Sequence, residues 1–236
     1  MKHVTDLHSH TIASGHAYNT ISEMVQGAVQ AGLELYGITE HGPKIPGACH
    51  PIYFENFKVI DRSVYPIEVL FGAEVDILDT RGHLDLPTAL MKKLDYCIAS
   101  IHVPCYNAGT KEQNTEAYLH AMENPCIRII GHPDDGRFPI DYYRLVRGAK
   151  ETGTILEINS TSLESWSPRP GAWDHYREML NYCKEMQVPV VIDSDAHFYT
   201  YVGTHENAHK LMAEIGFPEE LVLSASAEKV KQHLKK

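Results

Sequence analysis

At 236 residues and 43% hydrophobic, with 31 acidic against 21 basic residues and a formal charge of -10, the chain is long enough for one large core and too acidic for general polyanion binding. No basic run is longer than Lys235-Lys236, and no stretch approaches the roughly 18 continuous apolar residues of a membrane span, so neither a nucleic-acid partner nor a membrane partner is expected. No signal-like stretch precedes Asp6, and the five cysteines, Cys49, Cys97, Cys105, Cys126 and Cys183, lack C-x-x-C spacing; a soluble cytoplasmic protein with free thiols is expected.

The first strand is expected over residues 4–7, followed by the turn Asp6-Leu7-His8-Ser9-His10, with His16 six residues on. Alternate side chains of a strand share a face, so an H-x-H pair leaving its end aims two imidazoles at one place. Thr20-Ile21-Ser22-Glu23 has the capping pattern of a helix start, and Met24, Val25, Ala28 and Val29 form a helical stripe that ends near Gly32. Further strands are expected over 35–39, 68–75, 96–101, 127–131, 155–158 and 188–192, several nearly continuous in apolar character, as suits a parallel sheet buried on both faces. Phe54, Phe57, Ile60 and Val64 predict a helix within 53–65, and 77–86, with Thr80-Arg81-Gly82 at its middle, predicts a hairpin-like excursion. Helical stripes recur at Ala117, Tyr118, Ala121 and Met122, at Tyr176, Met179, Leu180 and Cys183, and at Ala208, Leu211, Met212 and Ile215. Seven strand-then-helix units predict an α/β fold, a closed or nearly closed (β/α) barrel, with 221–223 open as a short eighth strand. No linker, low-complexity tract or repeat divides residues 1–236.

The ligand-type residues fall at the carboxyl ends of those strands. Unit one ends in His8 and His10, unit two in His41, unit three in Glu74, unit four in His102, unit five in His132, and unit seven in Asp195 and His197. In a parallel barrel these ends meet at one mouth, where such folds keep their chemistry. Nine candidate ligands, His8, His10, His16, His41, Glu74, His102, His132, Asp195 and His197, are too many for one ion of about four ligands. They suit two ions loosely or three well, with Glu74 bridging two. Imidazole and carboxylate without thiolate favour zinc, manganese or iron over magnesium.

The motifs Asp6-Leu7-His8-Ser9-His10, Thr39-Glu40-His41-Gly42, Gly72-Ala73-Glu74, His102, His132-Pro133 and Ser194-Asp195-Ala196-His197 resemble the PHP (polymerase and histidinol phosphatase) superfamily, most closely its short, stand-alone YcdX-like phosphatases. The resemblance covers essentially the whole chain and implies one PHP domain over 1–236, a distorted seven-stranded, TIM-like (β/α)7 barrel and a trinuclear centre of divalent ions, zinc first. It further implies one ion held by His8, His10, Glu74 and Asp195, a second by Glu74, His102 and His132, and a third by His16, His41 and His197. Glu40 departs from the usual Asp of the T-D-H motif.

A divalent pair lowers the pKa of a bound water and holds it in line with phosphorus, with no need of a P-loop or a phosphorylated side chain. Neither is visible: there is no G-x-x-x-x-G-K-[ST], no C-x5-R, and Asp193-Ser194-Asp195 fits ligation better than a D-x-D nucleophile. Arg169, in the loop after strand six, is the candidate for binding substrate phosphate, because that strand donates no ligand. Asp6 and Asn159 are candidates for orienting ligands. The remaining histidines are read as bystanders, with His120, His175, His205 and His209 on solvated helix positions. The expected activity is hydrolysis of a small phosphomonoester. Phosphodiester or 3′-end hydrolysis, an amidohydrolase-like reaction and non-catalytic metal binding are the alternatives. The composition leaves a homo-oligomer open.

Overall fold

The seven apolar runs form one sheet of seven parallel strands whose spatial order is their order in the chain. They are β1 (Thr5–Asp6), β2 (Leu35–His41), β3 (Glu68–Asp76), β4 (Cys97–Ser100), β5 (Ile127–Ile130), β6 (Ile155–Asn159) and β7 (Val190–Asp193). A computed structural model describes residues 2–235. Between and after the strands lie α1 (Ile21–Gln30), α2 (Ile52–Glu55), α3 (Thr88–Met91), α4 (Lys111–Met122), α5 (Tyr142–Thr152), α6 (Ala172–Met186), α7 (Glu206–Ile215) and α8 (Ala227–Leu234). The predicted capping box is present at α1, where Thr20 and Glu23 exchange side-chain-to-backbone hydrogen bonds.

The sheet curls into a nearly closed barrel whose seam lies between β7 and β1. Near the carboxyl ends the seam is held by a parallel bridge, Ser9 to Ala196, and by Leu7 N–H donating to Asp193 Oδ1 at 2.7 Å. Lower down, residues 222–224 fill it: Val222 bridges Val190, and Ser224 O accepts from Val4 N at 2.9 Å. The eighth strand left open by the sequence is thus a single bridging residue between two 3-10 turns.

Alternation along the strands divides the core in two. Leu7, Leu35, Ile98, Ile129, Ile155 and Val191 form one cluster with Leu223, Val230 and Leu234, so α8 stoppers the amino-terminal end of the barrel. Ile38, Val75, Ala99, Ile130, Leu156 and Ile192 pack in the larger cluster shared with the outer helices. Tyr96 donates its hydroxyl to Leu7 O, and a Cβ at Gly37 would meet that hydroxyl at 1.9 Å, so only glycine fits there.

The helix predicted within 53–65 is broken into α2 and two 3-10 turns. Ile60 is extended, and the Asp61 carboxylate accepts from Ser63 N, restarting the chain in a new turn. The excursion at 77–86 is hairpin-like as predicted, with an antiparallel Ile77–Leu84 bridge. No helix among the described residues is long and apolar enough to cross a membrane.

Candidate metal centre

All nine predicted ligands converge at the carboxyl-terminal mouth, around Glu74 at the end of β3. Glu74 Oε2 lies 3.3 Å from His8 Nε2, 3.4 Å from His10 Nε2 and 2.7 Å from His41 Nδ1. Its other oxygen, Oε1, lies 3.2 Å from His102 Nε2 and 2.8 Å from His132 Nε2. Asp195 Oδ1 is 3.1 Å from His10 Nε2 and 3.6 Å from His8 Nε2. At the outer edge His16 Nε2 and His197 Nε2 stand 3.0 Å apart. Two ligand atoms bonded at about 2.0–2.1 Å to one tetrahedral ion are about 3.3 Å apart, so the separations of 3.1 to 3.6 Å would admit a shared cation, while 2.7 and 2.8 Å are closer than one such ion would set them.

The proton positions point the same way. His8 Nδ1 donates to Glu157 Oε1 at 2.6 Å and His102 Nδ1 to Asp76 Oδ1 at 2.7 Å, since a carboxylate only accepts. His197 Nδ1 donates to the Asp195 carbonyl at 2.9 Å. Ser14 Oγ donates to Glu40 Oε2 at 2.6 Å, which leaves it to accept from His10 Nδ1 at 2.9 Å and from the His41 amide at 3.0 Å. In His8, His10, His102 and His197 a proton is therefore held on Nδ1 and Nε2 is the nitrogen that faces the centre, the arrangement that outer hydrogen bonds impose on ligating histidines. His8 Nε2, His10 Nε2, His41 Nδ1, Glu74 Oε2 and Asp195 Oδ1 are all buried without a hydrogen-bond partner. Buried polar atoms are rarely left so, and here they converge: the residues fit divalent metal.

Burial works against the charge on Glu74, but His102, His8 and His41 overcome it and hold the carboxyl well below its usual range. Burial likewise opposes charge on His8, where Glu157, Glu74 and Asp195 prevail and raise its pKa well above the usual value. Burial depresses His10, and His41 and His197 add to that. His132 and Asp195 take left-handed backbone, φ 28° and 54°, strain of the kind that gathers at functional sites.

Glu40, the departure from the usual motif, lies outside the cluster. It accepts from the Thr11 amide at 3.0 Å, from the Thr11 and Ser14 hydroxyls and, at 3.5 Å, from Tyr53 Oη. Its longer arm thus reaches His10 through Ser14. Asn159 Nδ2 donates to Asp195 Oδ2 at 3.0 Å, and Asp6 accepts from the amides of Ser194 and Gly203, bracing the turn that carries Asp195. Arg169 donates to Asp195 Oδ2 at 3.1 Å and to Ser162 Oγ at 2.9 Å. With His16, His41, His102 and Arg137 it lines a cleft of about 430 Å³.

Sequence reading passed over Glu157 and Asp76. The signal for the first was present: a lone carboxylate inside the apolar run Ile155-Leu156-Glu157-Ile158 needs a partner. His205, expected on a solvated helix end, is buried, and with His3 and His209 it forms a second group of imidazoles away from the mouth, His3 stacked on His209 at 4.3 Å. His175 and His120 are partly buried and donate to the carbonyls of Asp134 and Thr80.

The PHP domain family matches residues 6–186. A protein named a probable phosphatase from Clostridium acetobutylicum is 41% identical over 235 residues, spanning 100% of this chain and 96% of that protein. Another so named, from Thermoanaerobacter sp. (strain X514), is 44% identical over 236 residues, again spanning 100% and 96%. Among solved structures, a histidinol phosphate phosphatase from Lactococcus lactis, complexed with zinc, L-histidinol and phosphate, superposes with a TM-score of 0.64. It is 19% identical and covers 92% of this chain and 95% of its own, a likeness of fold.

Proposed function

The chain belongs to the PHP domain family, and on that premise we propose that it is a metal-dependent phosphatase hydrolysing a small phosphomonoester. The observation that carries the reading is the convergence of nine ligand-type side chains, five of their donor atoms buried without partners, beside a cleft lined by Arg169. The names of the two relatives support it.

The proposed centre holds three divalent ions, zinc first, with manganese or iron as alternatives. His8, His10, Glu74 and Asp195 would hold one ion, Glu74, His102 and His132 a second, and His16, His41 and His197 a third. The two oxygens of Glu74 face separate sets of histidines, which supports a bridging role. Such ions supply an acidified water and absorb charge on phosphoryl oxygens.

The chain's own residues supply position. Glu157, Asp76 and Ser14 fix the histidine rings, so little reorganisation accompanies reaction. Arg169 has five N–H donors and uses two on Asp195 and Ser162, which leaves the others for phosphate oxygens. Burial opposes its charge, but Asp195 and Asp134 outweigh this and keep it cationic. Arg137, in the same cleft, is closed on Asp135 through bonds of 2.6 to 3.0 Å. A cleft whose two arginines are both ion-paired suits one phosphate better than a polyanion.

Asp195 and His197 lie beyond residue 186, so the functional unit we propose extends past the matched segment and takes in 1–236 as one PHP domain. Its five free cysteines suit the cytoplasm. The test is hydrolysis of a phosphomonoester and of a phosphodiester by protein loaded with zinc, manganese or iron. Monoester turnover is expected; turnover of the diester alone would replace this reading with a nuclease-like one.

A further inference from the structure

Beside the metal centre lies a second hollow, of about 380 Å³, that shares His16, Asp195, His197 and Arg169 with it. Its remaining wall is mostly aromatic: Tyr18, Trp166, Phe198 and Tyr201, from the loops after β1, β6 and β7. Tyr18 is 74% exposed, Trp166 56%, Tyr201 41% and Phe198 40%. Single exposed aromatics are ordinary, but four around one hollow, contiguous with a catalytic mouth, form a surface that a ligand would cover. Trp166 and Tyr201 already meet edge to face at 5.8 Å, so part of this wall is set before anything binds.

We infer that this hollow is the leaving-group subsite, and that the phosphomonoester carries a planar, uncharged aromatic group on the alcohol side. The inference rests on the phosphatase reading above. Arg169 borders three hollows, the 430 Å³ cleft, one lined by Glu164, Trp173 and Asn207, and the aromatic one; a phosphate it holds at the edge shared with His16 and His197 would direct its ester oxygen into the last, whose wall offers several rings for stacking. Charge narrows the class. Asp195 is the only carboxylate in the lining; its Oδ2 is engaged by Arg169 and Asn159 and its Oδ1 is turned to His8 and His10, away from an ammonium in the hollow. The lining holds no lysine for a second phosphate.

The experiment compares esters of similar intrinsic reactivity, so that leaving-group acidity does not imitate recognition. kcat/KM is measured for benzyl, n-butyl and choline phosphates, and calorimetry compares benzylphosphonate with methylphosphonate as non-hydrolysable ligands of the metal-loaded protein. Benzyl phosphate should exceed butyl phosphate by about tenfold or more, and benzylphosphonate should bind more tightly than methylphosphonate by a similar factor. Trp166→Ala should collapse both ratios toward one and Trp166→Phe should keep most of each, with bound metal unchanged in both variants. Equal values for benzyl and butyl, a ratio indifferent to Trp166→Ala, or a preference for choline phosphate, which would make the wall a cation cage, each overturn the inference. If no monoester is turned over, the phosphatase reading fails, and the phosphonate ratio still decides whether the hollow takes an aromatic group.

Discussion

Glu157 and His8, 149 residues apart, share a hydrogen bond of 2.6 Å at which both side chains are wholly buried. Strand β6 brings no ligand of its own to the mouth; through this bond it sets the ring of a ligand that β1 delivers. Glu157 also accepts the His132 amide at 2.6 Å, so one carboxylate braces two of the predicted ligands. Glu157→Gln keeps the shape and removes the charge. Metal affinity should fall by about 10- to 100-fold, read by competition with a chromogenic chelator. Unchanged affinity would make Glu157 a purely structural partner.

Arg169 is tied to Asp195 and lines the cleft, so its removal should act on phosphate binding. Arg169→Lys keeps a positive charge but loses the planar fork. Inhibition by inorganic phosphate and KM for a phosphomonoester should weaken together, by about tenfold or more, about 1.4 kcal/mol. A variant whose phosphate inhibition constant equals that of the wild type would remove Arg169 from the site.

His16 stands at the exposed edge of the cluster and Glu74 at its buried centre. His16→Ala should lower the metal content by about one ion per chain and leave the fold intact, whereas Glu74→Ala should disturb two, because a bridging carboxylate serves both. Elemental analysis of the two purified variants decides. Equal losses would contradict the assignment of ions to ligands.

The second imidazole group gives the fold an acid sensitivity of its own. Burial, aided by His205 and His209, lowers the His3 pKa from 6.5 to about 3. A histidine depressed in the folded state stabilises fully above its unfolded pKa and loses that contribution as pH falls toward the folded value. Between pH 6.5 and 5 the loss is up to about 2 kcal/mol, at about 1.36 kcal/mol per pH unit. His3→Leu should therefore gain on the wild type in urea unfolding as pH drops through that range. A stability difference between the two proteins that does not change with pH would contradict this.

What could be read from the sequence was what periodicity and strand ends carry. The nearly continuous apolar runs gave the seven parallel strands, and a histidine or acid at the end of six of them gave the mouth. What escaped depends on distant partners. Glu157 reads as a lone acid in a strand until β1 lies beside it. Helix α5 was passed over although Asp141 caps it and Tyr142, Leu145, Val146 and Ala149 form its buried stripe; Gly148 interrupts the pattern, and a Cβ there would meet Leu119 at 2.3 Å. The helix predicted within 53–65 failed because Asp61 offered the backbone a local alternative that periodicity does not register. His205 is buried where its ring packs, tilted, against His3, a partner near the other end of the chain.

The most direct test of the central claim is metal counted against activity on one preparation. The purified protein is analysed for zinc, manganese and iron, stripped with a chelator, assayed on a phosphomonoester, reloaded and assayed again. The account predicts about three ions per chain, loss of turnover as they leave, and its return on reloading. Full phosphatase activity in protein stripped of metal would contradict it, because the nine converging side chains would then have no part in the chemistry.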